Sequence, residues 1–452
     1  MADESQAIRA INWRELFPFT HVFRAFHIAI HPSKIILGLL IIFCIFAGGR
    51  FLDAVWPSTS RPYAYDLQRY QQTRLTRFTE ADPASFTPQE PAASEPAAGI
   101  SAVFFRYELA NASLVIGSAS HADWANVKDY LVKFLIVGPA WLVQAHLVYA
   151  ILLAAIFLIV WSIFGGAIAR IAAVHVARDE KISVRQAISF STSKILSFVF
   201  APLIPLMIIL LGGLAIAIGA LAFYAWHFGL LVAAFLFFLA LLAGFAMTLT
   251  ATGTIGGLNL MYPTIAIEGS DSFDAISRSF SYVFTRPWRM IFYSLVALIY
   301  GAVCYEFLHG FVFVLLKMAH FFAGSWLSGE AARTFAVIWP SPAIHSLVPK
   351  PNYASLSGVD AFGARMIKCW ICLLVSTLGA FVISFYFSAN TIIYSLLRLE
   401  VDATELGDVY FEESDDDLVD PAANRPSDAA VVVPMSETAP PPAADSAVPP
   451  PA

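Results

Sequence analysis

Cys369-Trp-Ile-Cys372 sets two thiols three residues apart, the spacing at which a cysteine pair can lower a thiol pKa and exchange disulfides. The pair falls near the outer end of an apolar run, where quinone-linked thiol enzymes place such pairs. Those enzymes need a second pair, and Cys44 and Cys304 are too scattered to form one. Packing thiols are the plainer reading. A second candidate set is Glu306, His309, Lys317 and His320. Glu306 to Lys317 and His309 to His320 are each 11 residues apart, three helical turns, so each pair shares a face. Inside a bilayer, ionisable groups are costly and mark an ion or substrate path. A count of about 20 residues from Trp288 instead puts Glu306 and His309 at an outer interface and Lys317 beyond it. A helix that surfaces and lies flat is the simpler account. Glu306-x-x-His309 is also half of a di-iron motif, but one copy cannot build that site.

Thr250, Thr254 and Asn259, with Thr248 and Thr252, form a polar stripe beside Gly253-x-x-x-Gly257. Small residues at that spacing let helices approach closely. The hydroxyls could also wall a pathway together with Glu306, His309 and Lys317. No phosphate-binding glycine loop, serine elbow, zinc-spaced cysteine/histidine set or dinucleotide fingerprint occurs. Hence no catalytic residue, metal site or cofactor is expected. Basic residues are sparse and no nucleic acid is expected as a partner.

The elements that hold these residues follow from hydropathy. Ile195 to Ile267 runs 73 residues without Asp, Glu, Lys or Arg. A bilayer core is about 30 Å thick and needs roughly 20 apolar helical residues per crossing, so that tract holds two crossings and a turn near Tyr224–Gly229. Hydrophobic residues make up 58% of the chain and charged residues 13%, about half the usual charge. Lipid is therefore the expected solvent. The class expected is an all-α membrane protein with six transmembrane helices: 35–54, 142–169 continuing to Ala177, 196–223 bent or broken by Pro202 and Pro205, 230–262, Pro287 to Cys304 or beyond, and 366–397. Residues 1–34 read as a cytoplasmic amphipathic arm along the membrane surface. Residues 55–140 read as an external loop with a disordered linker and interfacial helices near 103–115 and 124–137. Residues 141–398 form the five-helix core, and 399–452 a disordered acidic, proline-rich tail.

Between Glu400 and Asp420 lie ten acids and no base; without them 23 acids face 27 bases. The body is mildly basic and the tail carries the acidity. A basic cytoplasmic protein is one expected partner for it. Arg and Lys cluster in the arm, in 170–194 and in 278–289, all on one side of six crossings. By the positive-inside rule that side is cytoplasmic, with both termini inside.

Ser183-Val-Arg-Gln-Ala187-Ile188-Ser189-Phe-Ser191 and Asp271-Ser-Phe-Asp-Ala275-Ile276-Ser277-Arg-Ser279 align without gaps. Each opens on a helix N-cap type and follows a crossing on the basic side. The expected core is therefore two parallel helix-elbow-helix repeats, with elbows near 183–194 and 272–285. Arg170 and Glu268 hold equivalent places with opposite signs, so an ion pair between the repeats is expected. The second copy, Ile267 to Phe280, resembles the elbow motif of bacterial multi-pass proteins that include the membrane domain of glycerophosphodiester phosphodiesterases. The likeness covers 255–300 well and 165–205 loosely. It implies an architecture in a bacterial inner membrane. The catalytic domain of those phosphodiesterases has no counterpart in this sequence. Three functional classes remain: a non-enzymatic scaffold or membrane-organising protein, a transporter or channel for a small solute or lipid, and a membrane thiol enzyme using Cys369 and Cys372.

Overall fold

The computed structural model describes residues 17–57, 62, 66–71, 99–120, 123–224, 229–344, 346–349, 351–353 and 356–410. Six of its helices are long and apolar enough to cross a membrane, and no strand forms among the described residues. The chain enters through a 3-10 turn, Pro18–Phe23, and a short helix α1, Arg24–Ala29. Pro32 opens the first long helix, α2 (Pro32–Val55), where its missing N–H has no bond to lose. A module of shorter helices follows: α3 (Ile100–Ser120), α4 (Trp124–Val132), a π turn at Lys133–Val137 and α5 (Gly138–Ala145).

The second crossing is α6 (Leu147–Val160) and α7 (Gly166–Arg178), joined by a π turn at Trp161–Gly165. Then come α8 (Val184–Ser193), α9 (Ile195–Tyr224), α10 (Gly229–Glu268) and α11 (Ser272–Thr285). Pro287 starts α12 (Pro287–Gly324), the short helix α13 (Gly329–Ile338) follows, and α14 (Gly358–Asp402) is the last and longest helix.

Helix α14 is the post on which the bundle is built. Three helices reach it through glycines: a Cβ on Gly38 would stand 2.7 Å from Ala380 O, on Gly165 2.4 Å from the Phe387 ring, on Gly301 2.5 Å from the Phe385 ring. In lipid, helices associate mainly by close van der Waals contact, so small residues at these crossings decide the geometry. The core then runs from α1 and α2 through α7 and the inner end of α10 to residues 381–397 of α14. Helix α9 packs mainly on α10, and the C-terminal half of α9 and N-terminal half of α10 expose Leu211, Ile218, Phe235 and Phe238.

The structure bears on four expectations. Helix α9 is continuous through Pro202 and Pro205 rather than broken; membrane helices absorb prolines where neighbours pack around them, and Phe198 and Ala201 are fully enclosed here. Helix α12 runs unbroken beyond Cys304 for 38 residues in all, about 57 Å. The arm is packed into the bundle, with Val22, Ala25 and Ile28 buried in the core, although residues 1–16 lie outside the described set. Residues 400–410, expected to be disordered, are ordered and docked, whereas 411–452 and most of the 58–98 linker lie outside the described residues.

Candidate functional site

The order long helix, short elbow, long helix occurs twice, as α7–α8–α9 and as α10–α11–α12. Elbow α8 starts with a capping box: the Gln186 N–H donates to Ser183 Oγ (3.2 Å), and the Ser183 N–H donates to Gln186 Oε1 (3.1 Å). Elbow α11 starts with the Asp274 N–H donating to Asp271 Oδ1 (2.9 Å). Ala187 and Ala275 are fully enclosed, as are Ser191 and Ser279. Both serines sit against a glycine of the preceding long helix: a Cβ on Gly166 would be 2.3 Å from Ser191 Oγ, and one on Gly257 3.3 Å from Ser279 Cβ. Ser191 also donates to Ser162 O (2.8 Å), a carbonyl inside the π turn.

The ends of these elements meet in a charged cluster centred on Glu268. Its Oε1 accepts from Tyr394 Oη at 2.5 Å, and its Oε2 lies 2.9 Å from Arg278 Nε. Arg398 Nε is 3.2 Å from Oε1, a charge contact rather than an aligned hydrogen bond. Arg278 also grips Asp274 at 3.1 Å. Burial works against the Arg278 charge, but Asp274 and Glu268 raise its pKa overall. At the end of α14, Tyr293 donates to Glu400 (2.6 Å), whose Oε2 lies 2.5 Å from Arg289. Tyr282 donates to Asp402; burial and that carboxylate hold its hydroxyl above the usual phenol range.

Beyond Asp402 the chain doubles back as a strap. Ala403 adopts a left-handed conformation (φ 53°), Arg398 donates to Asp408 O (2.7 Å), and the Tyr410 N–H donates to Ile267 O (2.8 Å). Arg170 donates to Tyr410 O (2.6 Å) and to Ala266 O (2.7 Å), with its guanidinium 4.3 Å from the Phe190 ring centroid. Gly269, at φ 63°, leaves the space the Tyr410 ring fills; a Cβ there would meet it at 2.3 Å.

The expected Arg170–Glu268 ion pair does not form. Both residues belong to this cluster, but Arg278 and Arg398 reach Glu268 first, and Arg170 binds backbone carbonyls. The other candidates are placed apart from it. Thr250 and Thr254 donate to their own helix, at Ala246 O (2.9 Å) and Thr250 O (2.7 Å), while Asn259 Oδ1 accepts from Tyr386 (2.8 Å). His309 Nδ1 lies 3.8 Å from Glu306 Oε2 and stacks on Tyr305. Lys317 turns outward to Ser341 Oγ (2.8 Å), and His320 contacts Trp339 O (3.1 Å). No hydrogen bond or ion pair joins the α10 group to the α12 group among the described residues. Cys369 and Cys372 are free thiols, the first exposed and the second half-buried.

Sequence spacing missed three polar features. Asp53, near the C-terminal end of α2, accepts from the Ser101 N–H (3.0 Å), Ser101 Oγ (2.5 Å) and Tyr149 Oη (2.8 Å), and so caps α3. Glu108 Oε1 is enclosed against Gly138 with no hydrogen bond, and burial pushes its carboxyl up to about 8. Lys34 has no exposed surface. The fold and this inner cluster define a helical multi-pass membrane protein. Comparison with family models, curated proteins and solved structures gives no match.

Proposed function

We propose that the protein is a non-enzymatic scaffold of a bacterial inner membrane, with both termini cytoplasmic, that organises or assembles other membrane components. The observation that carries this reading is the Glu268 cluster: its charges tie helix ends to one another. A solute pathway uses buried charge differently, leaving groups free to meet an ion or substrate. The hydroxyls of α10 support the same conclusion, being turned onto their own backbone. The exposed α9–α10 hairpin is the surface assigned to contact with neighbours in the bilayer. The matched burial of Ala187 with Ala275 and of Ser191 with Ser279 supports reading the two elbow units as a duplicated repeat. A basic cytoplasmic protein is the partner assigned to the acidic tail.

A photo-crosslinking residue at Phe238, used in native membranes, tests the reading. Reproducible protein adducts are expected, unchanged by Glu306→Gln or Lys317→Met. A solute flux through proteoliposomes that either substitution abolishes would replace the scaffold with a transporter.

A further inference from the structure

Lys34 lies in the first turn of α2, where the helix dipole disfavours a positive charge. Its Nζ donates to Ile28 O at 2.6 Å, a carbonyl in the last turn of α1, and no ion pair to it forms among the described residues. An ammonium has three protons, so two lack an acceptor in an enclosed site, which is costly. Around it stand three imidazoles. The His27 and His175 rings are 6.1 Å apart, and His31 Nδ1 lies 2.8 Å from Ser33 Oγ. His175 is buried and has no hydrogen-bond partner among the described residues.

The other charges facing this site come from each element around it. The 3-10 turn and α1 bring His21 and Arg24, α7 brings Arg178, and the following turn brings Asp179, Glu180 and Lys181. Asp179 is mostly exposed and is taken by Arg24 at 2.6 Å. Helices α12 and α14 contribute only neutral bonds, Tyr300 Oη to Phe23 O (3.1 Å) and Ser384 Oγ to Ala29 O (2.7 Å). Buried Lys34 and His175 therefore lie beside half-buried His31 and exposed His27, and the carboxylate that reaches them, Asp179, is mostly exposed and held by Arg24.

We propose that residues 18–31 form a proton-released strap, seated on α7 and α14 when the His31–His175 pair is neutral and displaced when that pair takes up protons beside Lys34. Burial, Lys34, Lys181 and His27 together lower the His31 pKa. The undocked strap therefore binds protons more readily than the docked one, and docking weakens as pH falls below the ordinary imidazole value of about 6.5. Release would free Asp179 and the Phe23 carbonyl together, loosening α7 from α12 and α14. The fold thus couples a proton signal to the spacing of the first and second repeat units.

Amide exchange of the full chain in nanodiscs tests this, read at about pH 8 and about pH 5.5 and corrected for the chemical exchange rate. Protection of residues 24–30 is expected to fall at least about tenfold at the lower pH, as one protonation per pKa unit implies, while residues 388–397 of α14 stay protected. In the double variant His31→Gln, His175→Gln the difference between the two values is expected to shrink, buried Lys34 alone remaining to respond to pH. The single variant His31→Gln, at a half-buried position, is expected to reduce the difference without threatening the fold. Asp179→Asn removes the partner of Arg24 and is expected to release the strap at higher pH. Equal protection of the wild type at both pH values overturns the proposal, as does a loss that persists undiminished in the His31→Gln chain.

Discussion

The two elbow units share a shape but are held by different forces. In α8 the elbow is fixed by its capping box and by Ser191 and Phe198 against Gly166, and the residue three before its cap, Glu180, is exposed. In α11 the residue three before the cap is Glu268, which is buried and holds Arg278 and Arg398. The eighth aligned position is Phe190 in one unit and Arg278 in the other: an aromatic face for Arg170 in the first, an ion-pair partner in the second. Small buried residues set the common geometry, while charge decides where the end of the chain is anchored.

Breaking that asymmetry should have graded effects. Glu268→Ala leaves Arg278 and Arg398 without their shared carboxylate. It is expected to cost about 3–5 kcal/mol, whereas exposed Glu180→Ala should stay within about 0.5 kcal/mol; unfolding in mixed micelles reads both. Equal effects would mean that the cluster contributes nothing beyond surface charge. Gly269→Ala forces a side chain into the left-handed region and into the Tyr410 ring. A loss of about 2–3 kcal/mol is expected, with amide protection lost at residues 408–410 before the elbow itself. Gly166→Ala, crowding Ser191 at 2.3 Å, should cost about 1–2 kcal/mol, and Gly257→Ala, whose Cβ would stand 3.3 Å from Ser279 Cβ, less than about 1. The same order in thermal midpoints would sharpen the contrast, and the reverse would break it. Smallest is the cap: Ser183→Ala and Asp271→Ala should each lose about 1 kcal/mol, since both serve one orphan N–H.

Much of this architecture was legible in residue order. Charge-free tracts gave six helices because only lipid tolerates them, and Ser183 and Asp271 marked both elbows because each caps its first turn. The cluster was half legible. Glu268 and Arg170 stood out by position, but Tyr394 and Arg398 reach Glu268 from α14 and Tyr410 reaches Arg170 from beyond it, and spacing along a chain carries no distance between remote helices. Arg398 and Tyr394 looked like ordinary residues at a helix end. Lys34 was hidden for a related reason: its acceptor is a backbone carbonyl, which has no signature in residue type. The self-bonding of Thr250 and Thr254 was likewise hidden, since residue type does not say whether a threonine turns onto its own backbone.

The docked segment at 403–410 has a mechanical consequence. Any load on the chain downstream of Tyr410 first meets the bonds to Ile267 and Arg170, one on each elbow unit. A tug there is shared between both halves of the bundle before it reaches the last helix, so the tail's root works as a bridle rather than a loose leash.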